Sequence, residues 1–176
     1  MVTTNLFLTD PFPLYRESFL AGLAEDQAEG RKLDLNLEEI TTDFEGYIRQ
    51  ILQKRNLAYV PPGRVPETTL WLIANTEFAG RISIRPELNA QLLQLGGNIG
   101  YEVRPALRQR GYGKEILRLG LNKARALGLI RALLTCNVNN TASQKIIEYN
   151  GGVFENEVEV KAEEGWVKIR RFWIEL

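Results

Sequence analysis

The chain of 176 residues has no histidine, a single cysteine (Cys136) and no excess of charge of either sign. Each shortage closes off chemistry. Without imidazole there is no Ser-His-Asp triad and no Cys-His pair. One cysteine cannot furnish a four-cysteine zinc site, an iron–sulfur cluster or an intrachain disulfide, which suits a reducing compartment. A carboxylate-only metal site stays open, but no metal ligands are assigned. Lysine plus arginine number 22 and aspartate plus glutamate 22, a formal net charge of zero. Non-specific nucleic-acid binding calls for a basic excess, so no nucleic-acid partner is expected. The opening MVTTNLFLTDPF lacks both a basic region and a long apolar stretch. No signal peptide, membrane span or membrane partner is expected, and the default location is the cytoplasm.

What is present points to one folded unit over residues 1–176, since domains usually span about 100–200 residues. A hydrophobic fraction of 44% is ordinary for a globular chain. The N-terminal part, 13–54, reads as helical. One helix is predicted over 13–29, with Pro13 suited to its first turn and Gly30 to its stop, and a second over 37–54. Residues 58–67 hold three prolines and read as a loop. Strands are predicted at 69–75, 80–86 and 98–105, with a tight turn at 76–78 and a short helical turn within 87–96. Residues 111–127 form an amphipathic helix with Ile116, Leu117, Leu121, Ala124 and Leu127 on its apolar stripe. A strand at 130–136 and a helix at 140–149 capped by Asn140 or Thr141 follow. A closing hairpin over 153–175 has its two strands joined by AEEG. The order is α+β, or α/β in looser schemes.

The most specific local signal is RPALRQRGYGKE, residues 104–115. A strand gives way to a basic stretch (Arg108, Arg110), then Gly111-Tyr112-Gly113, then a helix. Glycines allow close backbone approach, and the first N–H groups of a helix lack internal acceptors, so the arrangement suits an anion. The segment contains neither GxxxxGK[ST] nor GxGxxG, so ATP-binding and NAD-binding readings lack their usual phosphate sequence. Arg104, Arg108, Arg110, Lys114 and Arg118 form a basic patch, but stacking aromatics are sparse beside it.

Arg108-Gln109-Arg110-Gly111-Tyr112-Gly113 resembles the (Gln/Arg)-x-x-Gly-x-(Gly/Ala) loop of the GCN5-related N-acetyltransferase (GNAT) superfamily. The strand Gly100–Pro105 and the later Asn140-Thr141-Ala142-Ser143 segment, with Ile146-Ile147 and Gly151-Gly152, resemble that family's adjoining elements. The resemblance is clearest over residues 68–155. It implies an acyl-CoA N-acyltransferase fold, a mixed central sheet of about six to seven strands flanked by helices. It also implies direct transfer from acetyl-CoA, or another acyl-CoA, to a primary amine. By that resemblance the pyrophosphate rests on the N–H groups of Arg110, Gly111, Tyr112, Gly113 and Lys114, with Arg108 beside it. The pantetheine arm pairs with the backbone near Val103 and Arg104, in a splay between the third strand and the 130–136 strand. Asn140 and Ser143 contact the lower part of CoA.

Without histidine, glutamate, tyrosine and water carry the protons. Glu102 is the candidate base. The Val103 N–H, freed by a strand bulge, is the oxyanion donor that the resemblance implies. Many family members carry a tyrosine acid where this chain has Ile147, so Tyr149, Tyr101, Tyr112 or a water is left for that role. Cys136 reads as a small core residue, and Trp71 and Trp173 as packing, whereas Trp166 beside the hairpin turn can be exposed. The acceptor, a small-molecule or peptide amine, is expected among residues 20–50, 76–98 and 155–168, with loop 86–97 as a wall. Monomer and homodimer are both compatible with the chain. A non-catalytic acyl-CoA-binding or sensor protein on the same fold is the alternative.

Overall fold

A computed structural model describes residues 4–162 and 165–176. In chain order the elements are β1 (Leu6–Thr9), α1 (Arg16–Ala28), α2 (Leu37–Thr42), α3 (Phe44–Gln53), β2 (Thr68–Ala74), β3 (Glu77–Ile84), α4 (Ala90–Gln94) and β4 (Ile99–Val103). They continue with α5 (Tyr112–Ala126), β5 (Arg131–Asn137), α6 (Thr141–Tyr149), β6 (Val153–Ala162) and β7 (Gly165–Glu175). The α+β class holds. Among the described residues seven strands form two sheets rather than one continuous sheet, ordered β1-β2-β3-β4 and β5-β7-β6. Every ladder among the described residues is antiparallel. Glu163 and Glu164 of the expected AEEG connection lie outside the described residues.

Three elements depart from the sequence expectation. β1 was not anticipated: its four residues pair with β2, Leu6 opposite Ala74 through Thr9 opposite Trp71. The helix predicted over 37–54 is broken at Asp43, whose backbone leaves the helical region (φ −123°, ψ 66°). There its carboxylate accepts a hydrogen bond from the Gly46 N–H (2.9 Å) and starts α3 anew. The turn expected at 76–78 sits one residue earlier, on Asn75 in the left-handed region (φ 57°), and Glu77 already opens β3.

The first sheet is buried on both faces, which is why TTLWLIA reads as an apolar run instead of alternating. Leu70, Leu72 and Ala74 pack with α5 residues Ile116, Leu117, Leu121 and Ala124. Trp71 and Ile73 turn the other way, onto Phe19, Phe44 and Ile48 of the N-terminal helices. Trp71 is fully buried and stacks on Phe19, ring centroids 4.7 Å apart. Leu127, expected on the α5 stripe, is exposed. Among the described residues no helix is long and apolar enough to cross a membrane.

The joint between the sheets positions the site. β4 and β5 form no ladder with each other. They are tied at one end by Asn98, whose N–H donates to the Leu133 carbonyl (2.8 Å) and whose side-chain Oδ1 accepts from the Leu133 N–H (2.8 Å). Gly97 permits this approach: its φ is +65°, and a Cβ there would overlap the Leu133 carbonyl oxygen. Beyond Asn98 the strands diverge.

Candidate active site

Which backbone groups face the splay follows from the β3–β4 register. Ile84 lies opposite Ile99 and Gly80 opposite Val103, without a shift between them. The ladder is bracketed by hydrogen bonds from Arg85 N–H to the Asn98 carbonyl (2.8 Å) and from Arg104 N–H to the Ala79 carbonyl (2.9 Å). Antiparallel partners alternate between bonded and non-bonded pairs. Gly100 and Glu102 therefore bond to β3, while Tyr101 and Val103 turn their N–H and C=O groups into the splay. No bulge in β4 is needed to free Val103; divergence from β5 does so. Arg104 differs from expectation: its N–H is spent on β3, and its guanidinium pairs with Glu25 of α1 (Nη2 to Oε1, 2.6 Å). It serves the α1–β4 contact, and Tyr101 with Val103 forms the pairing edge.

At the mouth of the splay the chain turns through Gln109 (φ 62°) and Gly111 (φ 82°, ψ −5°), the latter N-capping α5 in the left-handed conformation. Tyr112 and Gly113 offer their first-turn N–H groups outward. Lys114 departs from expectation, since its N–H donates to the Gly111 carbonyl (3.1 Å) and its Nζ lies 3.9 Å from the Tyr149 ring centroid. Arg108 reaches Glu29 (2.9 Å), and its Nε donates to the Val103 carbonyl (3.4 Å). Arg110 is exposed, its guanidinium on the Ala106 carbonyl (3.4 Å). Together Arg108, Gly111, Tyr112, Gly113 and Val103 line a cleft of about 570 Å³, with Arg31 and Glu29 on the facing wall.

A second cleft, of about 440 Å³, opens between the splay and the last hairpin, lined by Leu95, Gly96, Cys136 and Val167 among others. The two clefts share Tyr101, Asn140 and Ser143. There the Tyr101 hydroxyl lies 3.1 Å from Ser143 Oγ, joining β4 to α6 across the gap. Asn140 caps α6, its side-chain oxygen accepting from the Ser143 N–H (3.0 Å). Burial pushes the Tyr101 phenol up to about 12, outweighing the Ser143 hydrogen bond, so it stays protonated near neutral pH. Burial also pushes the Cys136 thiol up, which suits a packing residue and not a nucleophile.

Glu102 alternates away from Tyr101 and Val103 along β4 but still lines the 570 Å³ cleft, next to Arg31. Its Oε1 lies 2.5 Å from Arg81 Nε and 2.6 Å from Lys32 Nζ. Lys32 holds a left-handed backbone (φ 52°) while its Nζ also meets the buried Asp26 (2.6 Å). Burial pushes the Glu102 carboxyl up, but the charges of Arg81, Lys32 and Arg31 outweigh it and leave it below the ordinary range. A folded value below the unfolded one contributes stability above the unfolded pKa, about 4.3, that is lost as pH falls through the folded value. The stability gap between the wild type and Glu102→Gln is therefore expected to narrow on acidification below about pH 4. Urea midpoints across that range check it, and parallel curves for the two proteins would sink it.

Tyr149 lies outside both clefts, exposed, with its ring against Lys114. Ile147 is buried in the core. The tyrosine that the geometry brings to the junction is Tyr101. The hairpin carboxylates Glu155 and Glu157 pair with Arg171 (3.1 Å) and Arg170 (2.8 Å). Trp166, opposite Lys161 near the hairpin turn, is 68% exposed. Asn98 was missed by sequence reasoning, because a lone asparagine before a strand carries no signal of the partner 35 residues away.

The profile of the acetyltransferase (GNAT) domain family matches residues 24–153. The chain belongs to the GNAT acetyltransferase family. This GNAT chain shares its fold with the microcin C7 self-immunity acetyltransferase MccE, solved with acetyl-CoA and AMP. The TM-score is 0.70 at 13% identity, over 97% of this chain and 92% of that one. RimL, a ribosomal L7/L12 α-N-protein acetyltransferase solved with coenzyme A, gives a TM-score of 0.70 at 16% identity, over 100% and 97%. A different likeness is local. Fifty residues are 48% identical to NAD(P)H-quinone oxidoreductase subunit M of Parasynechococcus marenigrum, which is 28% of this chain and 44% of that protein. The GNAT chain thus spans less than half the length of that curated relative.

Proposed function

We propose that residues 1–176 act as a single N-acetyltransferase domain that passes an acyl group from acetyl-CoA, or another acyl-CoA, directly to a primary amine. The observation that carries this is the splay: an open strand edge at Tyr101 and Val103 leading from a helix N-terminus to a junction reached from two clefts. The presence of acetyl-CoA or coenzyme A in the solved MccE and RimL structures supports it. The composition fits a cytoplasmic protein, as monomer or homodimer.

In this reading the outward N–H groups of Gly111, Tyr112 and Gly113 hold the pyrophosphate, with Arg108 and Arg110 adding charge. The bound thioester supplies an activated acyl carbon. Val103 N–H donates to the carbonyl oxygen as oxyanion character develops. Glu102, kept ionised by Arg81 and Lys32, takes the amine's proton through a water. The Tyr101 hydroxyl, in contact with Ser143, replaces Tyr149 as the donor to the departing thiolate.

Calorimetric titration with acetyl-CoA tests the binding step, and an absence of heat at millimolar ligand overturns the proposal. Free-thiol release over a panel of amines tests transfer. Binding without release on any amine selects the second reading, a non-catalytic acyl-CoA binder, which the ion-locked Glu102 and the buried Ile147 favour. Gly111→Ala places a Cβ on a left-handed residue, a strain of about 1–2 kcal/mol. Its acetyl-CoA affinity is expected to fall roughly fivefold or more, with secondary structure unchanged by circular dichroism. Unaltered affinity would remove the loop from the binding site.

A further inference from the structure

A third cleft, of about 700 Å³, lies between the end of α3, the proline-rich loop and α4. It is a built feature of the fold. Arg64 N–H donates to the Pro61 carbonyl (3.1 Å), closing a turn with Pro62 and Gly63 (φ 81°) at its centre, as a type II turn requires. Asn89 Nδ2 donates to the Gly63 carbonyl (2.8 Å), tying that turn to the start of α4. Glu67 N–H donates to the Lys54 carbonyl (3.0 Å), tying the far end of the loop to α3.

The cleft is basic although the chain as a whole is neutral. Lys54, Arg64 and Arg85 line it against one carboxylate, Glu67. Glu67 pairs with Arg85 at 3.0 Å. Lys54 and Arg64 are exposed and meet no carboxylate among the described residues. The side-chain amides of Gln50, Gln53 and Gln91 also line the walls, and each offers both a donor and acceptors. That mixture matches a polypeptide: amides for its backbone, cations for acidic side chains. Leu95 lines both this cleft and the one that reaches Tyr101 and Ser143.

We propose that this cleft holds an acidic stretch of a polypeptide acceptor while the acceptor's amine reaches the splay past Leu95. The inference rests on the acyl-transfer reading above and names its substrate class. In the step it serves, the amine nitrogen forms an amide bond to the acyl carbon, the C–S bond breaks, the thiolate takes a proton and the amine gives one up.

The test uses the full chain, acetyl-CoA and three synthetic peptides of equal length with the same first residue, continued by acidic, amide or basic residues. Thiol release is expected to give the acidic peptide a KM roughly fivefold below that of the amide peptide, the scale of two exposed ion pairs. In Lys54→Glu/Arg64→Glu, both exposed positions, the preference is expected to reverse toward the basic peptide at unchanged melting temperature. Equal KM for the three peptides, or an acidic preference that survives charge reversal, overturns the inference and leaves acyl transfer standing. Should no peptide be acylated, fluorescence anisotropy separates the two claims. Acidic-peptide binding lost on charge reversal upholds the cleft and removes acyl transfer to these peptides, whereas no charge-dependent binding removes the cleft.

Discussion

Asn98→Ala is expected to lower the unfolding free energy by about 3 kcal/mol, far more than its size suggests. The residue is 4% exposed. Its oxygen accepts from the Leu133 N–H and its Nδ2 donates to the Arg85 carbonyl, both at 2.8 Å. Truncation strands a donor on one sheet and an acceptor on the other, and each unsatisfied buried group costs about 1–3 kcal/mol. The loss is also directional, since the Leu133 bond closes the narrow end of the splay. Urea denaturation at constant m value measures it. A change below about 0.5 kcal/mol, the scale of an ordinary surface substitution, would show that the sheets are held together elsewhere.

Val103→Pro is expected to reduce turnover about a hundredfold while leaving the fold in place. Removing one oxyanion donor costs about 10²–10³ in kcat where it has been measured in other enzymes. Proline deletes the N–H at issue and nothing from the β3 ladder, because Val103 belongs to a non-bonded pair opposite Gly80. Strands tolerate proline where the N–H faces an open edge, and the extended conformation it imposes on Glu102 is the one that residue already has. Turnover with acetyl-CoA, measured beside Val103→Ala, isolates the backbone group. Loss in the proline variant alone assigns it to the N–H. Equal loss in both points to the side chain, and turnover near wild type would exclude the donor.

Asn98 and the loop after Val103 differ in how far the sequence announces them. The loop at 104–115 is legible because its chemistry is local: Gly111 needs a left-handed backbone, and α5 carries its stripe in consecutive turns. Asn98, by contrast, takes its meaning from Leu133, a contact that closes only after α5 crosses between the sheets. The same limit hid β1, whose LFLT is too short to show a period. It also hid the break at Asp43, where one carboxylate cap outweighs a helical pattern running through it. Arg104 was misassigned for a related reason. Its position beside Val103 is visible, but the parity that sends its N–H to Ala79 depends on strand register. Tyr149 was legible by angle, since helical geometry puts it about 200° around the helix from Ile147, and it is exposed against Lys114.

The gap between β4 and β5 also bears on how the protein behaves in a crowded solution. Two strands that diverge leave two rows of unpaired backbone groups, the kind of edge on which foreign chains nucleate. Most proteins blunt such an edge with proline, charge or a covering helix. Here no strand among the described residues pairs with Tyr101 and Val103 on that side, and under the proposed function an extended ligand completes the sheet as a borrowed strand. If acyl-CoA binds there as proposed, the ligand seals an adhesive seam of the free chain, and resistance to aggregation is expected to rise with ligand supply.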